Sequence, residues 1–222
     1  MKLASATGIG SIALFLAAPA AQADVLTFDG NICAATANTS GSFGACSNYA
    51  FLDQGYGDTA TVNVSYLDVL NPTTSSLRFW DDGYNNLQNV VFSGGDDANS
   101  HGQIVLTAAP GYQVTLVGFD VGAYPYATRN TTVTVSTSSS ATTFDYSGPV
   151  GAGTLATAFS GFGAAGVGNQ VRIDWANSAY NVGIDNVHFE VAAVPEPETY
   201  AMMMAGLAMI GVVARRRKTY QQ

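Results

Sequence analysis

The chain has 222 residues, 47% of them hydrophobic and only 11% charged, with a formal net charge of −8. Between residues 24 and 194 three arginines (Arg78, Arg129, Arg172) stand against fourteen carboxylates, a balance of −11. That acidity excludes a nucleic-acid binder, which needs a basic face, and works against adhesion to anionic lipid. It suits an exported soluble domain and leaves carboxylates free for divalent cations.

The chain opens with a positive residue, Lys2, and an apolar run over 9–18. Ala21-Gln22-Ala23 then has the small-x-small form of a signal peptidase site. Residues 1–23 therefore read as a signal peptide, cut so that the mature chain begins at Asp24. Residues 24–194 are long enough for one domain with a core and too short for two.

Cys33 and Cys46 follow in a loop rich in Gly, Ser, Thr and Asn. An exported chain meets an oxidising environment, so the expectation is a disulfide between them. His101 and His188 are isolated in sequence, so a metal set built on Cys and His is not expected.

From there the signal is β almost throughout. Period-two alternation is clearest over 61–66, 113–117, 132–136, 171–175 and 187–191, each with one face for a core and one for water. Weaker candidates are 25–28, 77–80, 89–92, 103–107, 142–146 and 155–159. Gly and Asn/Asp turns separate them. No helix is expected in this domain. Short strands at this spacing predict an all-β, two-sheet antiparallel sandwich, jelly-roll-like.

The stretch 78–86 holds the candidate binding chemistry. Sugar sites combine a flat ring, which packs on the apolar face of a pyranose, with planar polar groups for its hydroxyls. Trp80, Asp81, Asp82 and Tyr84 supply both at a strand-to-turn junction. Tyr124-Pro125-Tyr126 is a second aromatic loop, and Tyr124 and Tyr126 are candidates to rim the same site. The competing readings are core packing for Trp80 and a rigid turn at Tyr124-Pro125-Tyr126. Catalysis finds no comparable support. Asp81, Asp82, Asp96 and Asp97 are adjacent pairs in turns, whereas a glycosidase needs two carboxyls held across a cleft. No enzyme is expected.

The C-terminal region has three parts in a fixed order. Pro195-Glu196-Pro197 is a short acidic motif that proline holds extended. An uncharged apolar run over 200–214 follows, marginal in length for a membrane-spanning helix. Arg215, Arg216, Arg217 and Lys218 then form a basic stop that belongs on the cytoplasmic side. Residues 195–218 thus form a tail with a single transmembrane helix, and 219–222 a short cytoplasmic end.

This order resembles the PEP-CTERM sorting signal of Gram-negative bacteria. The resemblance implies an exported protein held first at the inner membrane, where signal peptidase and then an exosortase are its partners. It implies delivery to the cell surface or to a biofilm and exopolysaccharide matrix, without catalytic activity. The alternative is a carbohydrate-binding module for extracellular polysaccharide, with a glycoside hydrolase a distant third. A second resemblance bears on the domain. Residues 109–120 and the closing strand Gly183-Ile184-Asp185-Asn186-Val187-His188-Phe189 look like strands of galactose-binding-like and carbohydrate-binding jelly rolls. That resemblance implies a structural Ca²⁺ shared by Asp29 and Asp185. The competing reading has Asp185 and Asn186 satisfying backbone groups at a strand end.

Overall fold

A computed structural model describes residues 22–95, 99–138, 142–194 and 202–211. In chain order the strands are β1 (Gln22–Leu26), β2 (Cys33–Ala34), β3 (Phe51–Leu52), β4 (Val62–Asp68), β5 (Arg78–Trp80), β6 (Val90–Phe92) and β7 (His101–Ala108). They continue with β8 (Tyr112–Ala123), β9 (Arg129–Thr137), β10 (Phe144–Val150), β11 (Thr157–Ser160), β12 (Val167–Gly168), β13 (Gln170–Ala176) and β14 (Val182–Ala193). A 3-10 turn, Gly163–Gly166, interrupts them.

The strands form two antiparallel sheets. One has the order β11-β8-β14-β6-β5-β3-β2, with β1 added to β14 and β12 to β8. The other runs β10-β9-β13-β7-β4. Alternation places the core between them. Val62, Val64 and Tyr66 of β4 point inward with Ile104 and Leu106 of β7, Val133 and Val135 of β9, and Val171, Ile173 and Trp175 of β13. They meet Val114, Leu116, Phe119 and Val121 of β8 and Ile184, Val187, Phe189 and Val191 of β14. Each such side chain contributes roughly 1.5–3 kcal/mol when buried. Trp175 fits because its partner across the strands is Gly102; a Cβ there would collide with the indole ring. Its Nε1 donates to the Val182 carbonyl at 2.9 Å. The expected all-β antiparallel sandwich is therefore what forms.

The expected disulfide is present: Cys33 and Cys46 are joined across a sequence separation of 13. Asp53, fully buried, braces the same loop by accepting from the backbone N–H groups of Gly41, Ser42 and Gly55.

Strand β1 holds Ala23 and Asp24, paired with Glu190 and Phe189 of β14. A cut before Asp24 leaves Asp24, Val25 and Leu26 in that pairing. Residues 1–21 of the expected signal peptide, Ala21 included, lie outside the described residues, as do Pro195, Glu196, Pro197, Arg215, Arg216, Arg217 and Lys218. Of the expected span only a helix over 202–211 is described. Ten residues rise about 15 Å, half of a bilayer's hydrocarbon core. Among the described residues no helix is long and apolar enough to cross a membrane.

Strand β14 gives the domain its two ends. Val182 pairs with Ala123 at one end and Ala193 with Tyr112 at the other, a run of about 36 Å at ~3.3 Å per residue. Gln22 lies beside Val191, and Val194 donates to the Gly111 carbonyl at 2.8 Å. The chain thus enters and leaves the domain at the Tyr112 end. The Tyr124 and Asn181 loops lie at the other.

Candidate functional site: an aromatic pocket at the far end

Trp80 closes β5, half-buried, and the chain then turns through Asp81, Asp82 and Gly83. Gly83 takes φ +97° and passes beneath the Tyr124 ring, where a Cβ would come within 2.8 Å of it. Glycine alone meets both demands without strain. The neighbouring Asn85 is 3% exposed and has no capacity left for a ligand. Its Oδ1 accepts from Ala123 N at 2.6 Å, and its Nδ2 donates to the Ala127 and Gly153 carbonyls at 3.1 and 2.7 Å. Asn85 therefore ties the 78–86 turn to the 123–127 loop. The Tyr124 ring then stands 5.4 Å from both Trp80 and Tyr84.

Three of the six expected sugar-site residues thus share one pocket: Trp80, Tyr84 and Tyr124. Tyr49, Phe92, Tyr180 and Asn181 complete its lining. Tyr49 meets Trp80 edge to face at 4.9 Å, and its hydroxyl is 2.7 Å from that of Tyr180. Tyr84 is only 2% exposed and donates its hydroxyl to the Tyr180 carbonyl, so its ring is a floor rather than a projecting group. Burial drives its phenol far above the ordinary tyrosine range. The Tyr180 phenol is raised as well, first by its hydrogen bond with Tyr49. Both hydroxyls stay protonated near neutrality.

The other expected residues form a rim. Asp81 and Asn48 exchange two hydrogen bonds, Asn48 Nδ2 to Asp81 Oδ1 at 2.8 Å and Asp81 N to Asn48 Oδ1 at 2.9 Å. The Tyr126 hydroxyl donates to both oxygens of Asp82, at 3.1 and 3.2 Å. Tyr126 is 51% exposed, and both aspartates are exposed. Arg78 is engaged behind the site: its guanidinium lies 4.3 Å over the Phe51 ring and donates to the Tyr49 carbonyl. Asp96 and Asp97 of the hydrolase reading lie outside the described residues. No local pattern in the sequence marks Tyr49, Phe92 or Tyr180. They arrive from three distant loops or strands and meet only through the sheet order β14-β6-β5-β3.

A second pocket, polar and of about 310 Å³, opens beside β14. It brings together Asp29 and Asp185, the residues of the calcium expectation, and adds Asp120. Each carboxylate accepts from an amide. Asn89 donates to Asp29, Asn186 Nδ2 to Asp120 at 3.0 Å and Asn186 N to Asp185 at 2.7 Å. Burial, then the charges of Asp29 and Asp120, push the Asp185 carboxyl up to about 7. Among the described residues no group of three or more His, Cys, Asp or Glu side chains is placed to hold a metal ion. His101 pairs with Asp174 at 3.1 Å and lines neither pocket.

The sequence matches no curated protein. Among solved structures, the chain is similar to one titled "Crystal structure of Podospora anserina GH26-CBM35 beta-(1,4)- mannanase". The identity is 16% and the TM-score 0.33, over 63% of this chain and 29% of that one. It is also similar to one titled "CBM4 structure and function", at 13% identity and TM-score 0.30, over 60% of this chain and 87% of that one. The chain thus spans under a third of the length of the mannanase structure. Both likenesses are too distant to transfer residue roles. The C-terminal region is different. Residues 193–218 match the PEP-CTERM protein-sorting motif, so the chain carries the signal of an exported protein handed to an exosortase.

Proposed function

We propose that this is a non-catalytic surface or matrix protein, cut from its membrane tail by an exosortase, that presents the aromatic end of its sandwich to extracellular polysaccharide. The sorting motif at 193–218 supports the route. The observation that carries the binding half is the rim. Tyr49, 45% exposed, packs edge to face on half-buried Trp80, and Tyr126, 51% exposed, bonds Asp82 beside the exposed Asp81. Rings offer a face to a pyranose, and the carboxylates and Asn48 offer acceptors and a donor to its hydroxyls. The position agrees with the role, since this end lies about 36 Å along β14 from the tail.

Affinity electrophoresis in gels containing the producing cell's own exopolysaccharide tests it. Retardation is expected for the wild-type protein. Tyr126→Ala, a substitution at an exposed ring, should weaken it at least tenfold without changing the melting temperature. Wild-type mobility unaffected by the polysaccharide would remove the binding half and leave the sorting half standing.

A divalent cation is the further proposal for the second pocket. It would sit between Asp29 and Asp185 and take its remaining oxygens from backbone and amide groups, since no three carboxylates among the described residues converge on a metal position.

A further inference from the structure

The interior of the aromatic pocket is unlike its rim. Six of its seven lining residues are aromatic: Tyr49, Trp80, Tyr84, Phe92, Tyr124 and Tyr180. They do not form a flat platform. Tyr49 stands at 90° to Trp80, Trp80 at 71° to Tyr124, and Phe92 at 80° to Tyr180, with centroids 4.9, 5.4 and 5.7 Å apart. The result is a box with ring faces and edges on several sides. Its volume is about 70 Å³, room for about five water-sized groups. A pyranose unit does not fit inside, although it can lie across the rim.

The hydroxyls of three of the four wall tyrosines are already engaged. Those of Tyr49 and Tyr180 bond each other, and that of Tyr84 donates to the Tyr180 carbonyl. The Asn181 carbonyl accepts from Tyr124 N. A group rich in hydroxyls or N–H would leave its water hydrogen bonds behind here and find few replacements. The occupant that fits is small, rounded, without hydrogen-bond donors, and positively charged. Ring faces attract a cation through their quadrupole, Trp most strongly, and more so where water is excluded. The charge around the site agrees. Asp81 and Asp82 directly follow Trp80 and are exposed, and the domain's balance of −11 draws cations to it. Arg78, from the same strand as Trp80, is held against Phe51 and the Tyr49 carbonyl.

We infer that this pocket is an aromatic cage for a quaternary ammonium group, a trimethylated amine borne by a small solute, a polymer or a lipid head group. The inference goes beyond polysaccharide binding at the rim and does not depend on it.

The test uses the protein purified from the cell surface or medium, titrated with tetramethylammonium, choline and 3,3-dimethylbutan-1-ol, the uncharged isostere of choline. Tryptophan fluorescence reads the site directly. The chain has two tryptophans, and Trp175 is 1% exposed in the core, so ligand-dependent change reports Trp80. The expected result is saturable change with both cations and at least tenfold weaker binding of the alcohol. Tyr49→Leu should abolish the response at an unchanged melting temperature, and Tyr49→Phe should keep it. Phosphatidylcholine vesicles then separate sources: co-sedimentation identifies a lipid head group, and its absence beside choline binding identifies a soluble or polymer-borne amine. Equal binding of alcohol and choline would overturn the cage in favour of a merely apolar pocket. No saturable response to either cation would overturn it in favour of packing alone. Polysaccharide retardation without cation binding would sink the cage while leaving the rim reading intact, and cation binding without retardation would do the reverse.

Discussion

Asp185 is 5% exposed in β14, opposite Asp120 and in the field of Asp29. Its carboxyl titrates near 7 in the folded protein, against about 3.9 in an unfolded chain. Between these values the folded state holds a proton that the unfolded state has lost. Stability therefore falls as pH rises from about 4 to 7, and the penalty is complete above 7. Asp185→Asn should raise the melting temperature at pH 8 and leave it nearly unchanged at pH 4. Calcium at pH 8 should raise the wild-type melting temperature and not that of the variant. A wild-type curve that is flat across this range would show that Asn186 alone satisfies the carboxylate, and no calcium shift would remove the cation from the account. At this scale the sequence was half legible. Trp80, Asp81 and Asp82 stand out because they are contiguous at a strand end. Tyr49 and Tyr180 do not, because only the fold brings them within 2.7 Å of each other.

The strands show where periodicity speaks and where it fails. Residues 61–66 and 171–175 alternate cleanly; β4 takes up the first from Val62 onward and β13 contains the second. By alternation alone β14 is legible only over 187–191, although it begins at Val182 and the jelly-roll resemblance marks 183–189 as a strand. The reason is a bulge between Asp185 and His188. Asn186, at φ +51°, adds a residue there, so Ile184 and Val187 are both buried at a spacing of three. An extra residue shifts the inward face and erases the period. Strands β2, β3 and β12 have two residues each, too few for any alternation. The loop that carries β2 is instead fixed by Cys33–Cys46 and by Asp53. Replacing both cysteines by alanine should cost about 3 kcal/mol, read as a lower urea midpoint with an unchanged slope. A loss well under 1 kcal/mol would show that the three backbone bonds to Asp53 hold the loop by themselves.

For the whole molecule, the arrangement of the ends matters most. The entry at Gln22 and the exit at Val194 are neighbours, so the chain enters and leaves the domain at one end, while the aromatic pocket occupies the other. Val194 is still hydrogen-bonded to the domain, and the sorting match begins one residue before it, at 193. A protease acting at Pro195-Glu196-Pro197 therefore works at the edge of a folded body and can release it with its core intact. The all-β fold class and the sorting motif were readable from the sequence, because strand alternation and the tail's three-part order are both local patterns. The aromatic end was readable only at Trp80, Tyr84 and Tyr124, because the rest of it comes from loops far apart in the chain.

The account rests on export followed by removal of the tail, and intact-mass analysis of the protein collected from cell surface and medium tests that most directly. It predicts a chain that begins at Asp24, ends near Pro195-Glu196-Pro197 and lacks two hydrogens for the Cys33–Cys46 bond. A mass that retains 200–222 would contradict it and make the protein a permanent resident of the inner membrane.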